Sequence, residues 1–195
     1  RQDPDVPLVI PEVNPHDILD YRTRNIIANP NCSTIQMLVA LKPIYDAVGI
    51  ERINVATYQS VSGSGQSGIT ELVTQTAKLL NAQPVENNVY NKQIAFNVIP
   101  QIDEFQENGY TREEMKMVWE THKILGDDHI RVNPTAARVP VFYGHSEAIH
   151  IETRDKITAE QAKHLLLVSP GIVLIQEDND YPTAVTEGAN SDAVY

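Results

Sequence analysis

Cysteine occurs once in 195 residues, at Cys32. One thiol cannot close an internal disulfide, which suits a reducing, cytoplasmic setting. Cations are scarce too: 15 Lys and Arg stand against 26 Asp and Glu, a formal net charge of −11. That balance argues against nucleic acid or an anionic membrane surface as a partner, since both select for basic residues. A local cationic pocket for a small anion remains compatible with it. No apolar run approaches the roughly 20 residues that span a bilayer, and no signal peptide opens the chain. Internal repeats and low-complexity tracts are also missing.

What is present is a chain long enough for one domain with a sizeable core, at most with a small appendage. Residues 1–17, rich in Pro and Asp, read as a loop carrying a short edge strand at Val6 to Ile10. Arg24 to Ala28 reads as a strand. After Cys32, apolar residues at Ile35, Leu38, Val39, Leu41, Ile44, Tyr45 and Val48 follow a helical period, with Pro43 expected to bend the helix. "RINVATYQSV" predicts a strand, and a helix follows over Ile69 to about Leu80. The polar stretch 81–93 reads as a loop, and "IAFNVIPQID" as extended. "TREEMKMVWETHKILG" is the best-marked helix, with a Thr111/Glu114 capping box and a Gly126 stop. "HIRVN", "ARVPVFYG", "EAIHIETR" and "GIVLIQED" predict strands, the last two separated by a helix with a Thr158/Gln161 box. Strand runs between a few helices predict an α+β domain with a mixed or largely antiparallel sheet and helices packed on it.

Three features invite chemistry. "GSGQSG" at Gly63, Gly65 and Gly68 fits a dinucleotide-binding turn, but the segment "QPVENNVYN" after the helix is not the buried strand that such a fold requires. A turn exposing backbone N–H groups near a site fits it better. "HSEAIHIE" offers His145, Glu147, His150 and Glu152, yet side chains alternate along a strand, so the two pairs face opposite ways and no metal site is expected. Finally, Cys32 stands at the mouth of a helix, where free N–H groups and the helix dipole stabilise a thiolate. The plain alternative is a buried, inert thiol.

"NPNCSTIQM", "TYQSVSGSG", "AFNVIPQID", "EEMK" and "RVPVFYGHSE", in this order and spacing, resemble the aspartate-β-semialdehyde dehydrogenase family, and the resemblance runs over nearly the whole chain. The related N-acetylglutamyl-phosphate reductases share the chemistry but usually show a Gly-Cys-Tyr type of signature. The Asn31-Cys32-Ser33-Thr34 sequence favours the aspartyl family.

The resemblance implies a domain like the C-terminal one of glyceraldehyde-3-phosphate-dehydrogenase-like enzymes. It also implies reduction of β-aspartyl phosphate by NADPH to aspartate semialdehyde and phosphate, in lysine, threonine and methionine biosynthesis. Cys32 would be the nucleophile, His145 the acid/base, and Gln59 the group that orients substrate beside the thiol. Arg138 would grip the substrate carboxylate, Glu113 its ammonium, and Lys116 and Asn31 the phosphate. Ser62 and Gly63 would approach the nicotinamide end of NADP. The plain reading of Glu113 and Lys116, three apart on one helix, is a solvated salt bridge. Residues 1–195 would be the catalytic and dimerisation domain of a longer two-domain enzyme whose dinucleotide-binding half precedes Arg1, and a homodimer is expected. The alternative is a non-catalytic dimerisation module.

Overall fold

The computed structural model describes residues 3–176 and 180–195. Its centre is a three-stranded mixed sheet in the order β2-β1-β3, so the domain is α+β. β1 (Ile50–Gln59) lies in the middle, parallel to β2 (Arg131–Arg138) and antiparallel to β3 (Ser146–Thr153).

β1 alternates in burial because one face is covered and the other open. Ile53 and Val55 point into the core with Met37, Leu38, Met117, Ile124 and Ile130. The cover comes from α1 (Cys32–Val48) and α3 (Arg112–Leu125). Asn31 caps α1 by accepting the Ser33 N–H, and Gly49 ends it at φ 66°. Pro43 lies inside that helix, as the sequence predicts. Both capping boxes form: Thr111 with Glu114 on α3, and Thr158 with Gln161 on α4 (Ala159–Leu167).

A second, smaller core gathers around Val61, Leu72, Ile94, Ala95 and Ile99. It lies under α2 (Gly65–Leu80). Two buried polar residues of α2 hold the following loop: Glu71 accepts the N–H of Asn88 and Val89, and Gln75 accepts those of Ile94 and Ala95. The polar 81–93 stretch is thereby ordered without regular structure.

Several predicted strands are shorter or absent. Val6 to Ile10 and Arg24 to Ala28 meet only through one bridge, Leu8 to Ala28, and a 3-10 helix spans Pro15–Thr23. "IAFNVIPQID" contributes a single bridge between Ile99 and Arg138, and "GIVLIQED" one between Ile172 and Val194, its acidic end lying outside the described residues. "HIRVN" and the start of "ARVPVFYG" fuse into one strand that stops at Arg138, before a segment interrupted by Pro140. The interrupted segment has another use. Its carbonyls at Val141 and Phe142 accept the N–H groups of Val61 and Ser62, which ties the loop that precedes His145 to the glycine-rich loop.

Candidate active site

The C-terminal ends of β1 and β2 and the mouth of α1 meet at one place, where Asn31, Gln59, Glu113, Lys116, Arg138, His145 and Gly63 are joined by the contacts below. His150 and Glu152 lie apart, on the open face of the sheet. Gln59 and Arg138 are register partners at the ends of adjacent strands, both buried. Cys32 is the first residue of α1 and is exposed.

Glu113 of α3 is the hub on one side. Its Oε1 accepts from Asn31 Nδ2 at 2.8 Å and from Gln59 Nε2 at 3.3 Å, while Oε2 accepts from Lys116 Nζ at 3.0 Å. The carboxylate is 6% exposed, so the solvated salt bridge is not what forms. Lys116 also donates to Asp103 Oδ2 at 3.0 Å, which holds its ammonium between two carboxylates. Gln59 is fixed further by Ser33 Oγ at 3.0 Å and Thr57 Oγ1 at 3.2 Å.

Ser60 is the hub on the other side. Its carbonyl accepts from Arg138 Nη1 at 2.8 Å, and its N–H donates to His145 Nδ1 at 3.1 Å. Its hydroxyl lies 2.9 Å from that of Ser62. Gly63 lies against both partners: a Cβ there would fall 2.8 Å from Arg138 Nη1 and 3.6 Å from His145 Nε2. The third glycine of the run, Gly68, makes room for the Tyr90 hydroxyl and the Val61 carbonyl. These glycines therefore serve close packing around the site.

The electrostatics correct one expectation. The helix mouth does favour the Cys32 thiolate through the Ser33 N–H, and the Arg138 charge helps. Burial of the sulfur, followed by the Glu113 carboxylate, outweighs both and raises the thiol above its ordinary value. The residue has an exposed edge, but its sulfur is packed closely enough by protein for desolvation to win. At rest Cys32 is a thiol. His145 is shifted down, by burial first and by the Arg138 cation second, so its ring is neutral at neutral pH. A main-chain donor at Nδ1 selects the tautomer that carries its proton on Nε2. Burial also lowers Arg138, against the fields of Tyr90, Glu113 and Cys32, but a guanidinium stays charged.

Sequence reasoning passed over Ser60, Glu120 and Asp103. Ser60 sits inside the quoted "TYQSVSGSG" motif, and its contribution is partly main chain, which residue type cannot reveal. Glu120 had a signal, because it stands two helical turns after Glu113 and shares its face. Among the described residues no group of three His, Cys, Asp or Glu side chains could hold a metal ion, and no helix is long and apolar enough to cross a membrane.

A thiol beside a buried cation, a neutral imidazole donor, a carboxylate and a fixed amide has the groups that acyl transfer to sulfur needs. Comparison with known proteins narrows this to one family. The model described as semialdehyde dehydrogenase, dimerisation domain, matches residues 41–195, and the chain belongs to that family. It is 71% identical over 195 residues to aspartate-semialdehyde dehydrogenase of Shewanella violacea, covering 100% of this chain and 58% of that protein. Against aspartate-semialdehyde dehydrogenase 2 of Vibrio cholerae it is 66% identical, covering 100% of this chain and 57% of that one. A crystal structure of aspartate semialdehyde dehydrogenase II from Vibrio cholerae complexed with ASA superimposes with a TM-score of 0.96 at 65% identity, over 98% of this chain and 56% of that one. The chain thus spans rather more than half the length of these relatives.

Proposed function

We propose that residues 1–195 are the catalytic and dimerisation domain of an NADP-dependent aspartate-semialdehyde dehydrogenase. The enzyme converts β-aspartyl phosphate to aspartate semialdehyde on the route to lysine, threonine and methionine. The observation that carries this reading is the convergence of Cys32, Gln59, Glu113, Arg138 and His145 at one strand-end cleft.

Arg138 receives the substrate carboxylate in a bidentate fork that Lys cannot match. Glu113 meets the substrate ammonium, and Lys116, with Asn31, the phosphate. The Cys32 sulfur attacks the acyl carbon, and the S–C bond forms as the C–O bond to phosphate breaks. The thiol proton leaves on the departing phosphate, whose oxygens are basic enough at neutral pH. His145, protonated on Nε2, donates to the acyl oxygen and stabilises charge that develops there. Gln59 holds the acyl group beside the sulfur.

NADPH would supply hydride equivalents for reduction at the acyl carbon, and the C–S bond then breaks to release the semialdehyde while the Cys32 sulfur regains a proton. Ser62 and Gly63 lie beside His145 and fit the nicotinamide end of the cofactor. The chain spans 58% of its Shewanella violacea relative, and most of the NADP site is assigned here to the part of such an enzyme that the chain does not span. Assembly as a homodimer in the cytoplasm completes the reading. Two observations support the dimer: the family description as a dimerisation domain and the open face of the sheet.

The test is the reverse reaction of the full protein, followed by NADPH absorbance in the presence of aspartate semialdehyde, phosphate and NADP. Turnover that requires all three, and that is lost in Cys32→Ser with the fold intact, is expected. Turnover that persists in that variant would overturn the mechanism.

A further inference from the structure

α3 reaches the residue before Cys32 at two points. Glu113 and Glu120 stand seven apart on the helix, and both carboxylates turn toward Asn31, 6% and 4% exposed respectively. Glu113 Oε1 accepts from the Asn31 side chain at 2.8 Å, and Glu120 Oε2 accepts from the Asn31 main-chain N–H at 2.7 Å. A buried carboxylate on an N–H at that distance is a strong, charge-assisted bond. It also sits near the positive end of α1, where the helix dipole favours a negative charge.

The two bonds differ in what substrate would do to them. Glu113 is shared with Gln59 and Lys116, and in the proposed reaction it is also offered to the substrate ammonium. Its hold on Asn31 is open to redistribution when substrate arrives. The Glu120 bond is made to the main chain one residue before Cys32, where no rotation of the Asn31 side chain can release it. Asn31 is the N-cap, with ψ at 143°, so a turn of the main chain there swings the first residue of α1, which carries the sulfur.

We infer that Glu120 is a positioning residue for the nucleophile: it fixes the main chain at Asn31, and with it the direction of the Cys32 sulfur, whether or not substrate is bound. The inference rests on the proposed role of Cys32. It asks of Glu120 no contact with substrate.

Two variants of the full protein test it. Glu120→Gln keeps an acceptor oxygen at the same reach, and Glu120→Ala removes it. In Glu120→Ala, kcat falls about 100-fold, the loss expected when a reacting group is misplaced by roughly an ångström. The KM for semialdehyde stays within about twofold, since Arg138 is untouched. Glu120→Gln restores most of kcat. The rate of Cys32 alkylation by iodoacetamide, read by intact mass, falls in Glu120→Ala and recovers in Glu120→Gln. If the Ala variant does not fold by circular dichroism, Glu120→Asp takes its place, with a carboxylate one methylene too short. A folded Ala or Asp variant with native kcat, an unchanged alkylation rate, or a loss confined to KM would each overturn the inference. A native protein without dehydrogenase activity would overturn the proposed reaction instead, and the alkylation comparison would still decide the role of Glu120.

Discussion

Arg138 Nη1 lies so close to Gly63 that a methyl group built on that glycine would come within 2.8 Å of it. The guanidinium is tethered as well as crowded. It is 5% exposed and held by the Ser60 carbonyl at 2.8 Å. One contact therefore links the glycine-rich loop to the group proposed to bind the substrate carboxylate.

Gly63→Ala is expected to push the fork out of line. KM for the semialdehyde rises about tenfold or more, and the overpacking costs roughly 1–3 kcal/mol in stability. Steady-state kinetics with a thermal melt checks both. An unchanged KM would show that Arg138 yields freely, or that it does not hold the carboxylate.

The resting state of Cys32 gives a second prediction. Burial and the Glu113 carboxylate hold its thiol above the ordinary value, so iodoacetamide alkylation should accelerate with pH through a midpoint on the alkaline side of a free cysteine. Glu113→Gln removes one of the two causes and should move the midpoint down. A native midpoint near neutrality would mean that the helix mouth alone activates the thiol.

That thiol shows where sequence reasoning succeeds and where it stops. Capping boxes, the helical period after Cys32 and the Gly126 stop are local, and each appears as read. Strand length is not local: "IAFNVIPQID" has the β-branched residues of a strand, but its partner offers only the Ile99–Arg138 bridge. At the site, residue type and position picked out Cys32, and the family resemblance supplied Gln59, Glu113 and Arg138. They could not reveal that Glu113 would lie near enough to raise the thiol it serves, because that depends on how α3 crosses α1. The main-chain groups of Ser60 were invisible for the same reason.

His145 is shifted down by burial and by Arg138, so folding disfavours its cation. As pH falls through the ordinary histidine range the unfolded chain takes up a proton that the folded site resists, and stability declines. Nuclear magnetic resonance of the ring should show a protonation midpoint below the usual value and, at neutral pH, a proton on Nε2. A proton on Nδ1 would be incompatible with the Ser60 N–H as donor.

Glu147 carries the opposite sign. Its two carboxyl oxygens are buried and reach no partner at full hydrogen-bond geometry, so burial, which raises it from 4.5 to about 8, outweighs the weak, opposing hydrogen-bonding of Gln36 and Ser33. Between those values the folded state keeps a proton that the unfolded chain has lost, so stability falls as pH rises through the window. Glu147→Gln is uncharged throughout. It should melt near the native temperature at pH 4 and be more stable by roughly 4 kcal/mol at pH 8. Melts that shift in parallel at both pH values would show that Glu147 does not titrate in that window.

The last prediction concerns the uncovered face of the sheet. Tyr58, Ala56, Asn54 and Arg52 of β1 point there, opposite Ser146, Ala148, His150 and Glu152 of β3. The β3 residues are exposed, and Tyr58 is 45% exposed. The charged pair Arg52–Glu152, at 3.2 Å, lies at one end of this face, while small residues and Tyr58 occupy the other. A second copy seated there by twofold symmetry would meet the same residues in reverse, so any substitution acts twice. Ala148→Arg places two cations and two long side chains in such an interface. Sedimentation equilibrium should show the native protein as a dimer and this variant as a monomer, with the circular dichroism of the sheet retained. A variant that stays dimeric would put the interface on another face of the domain.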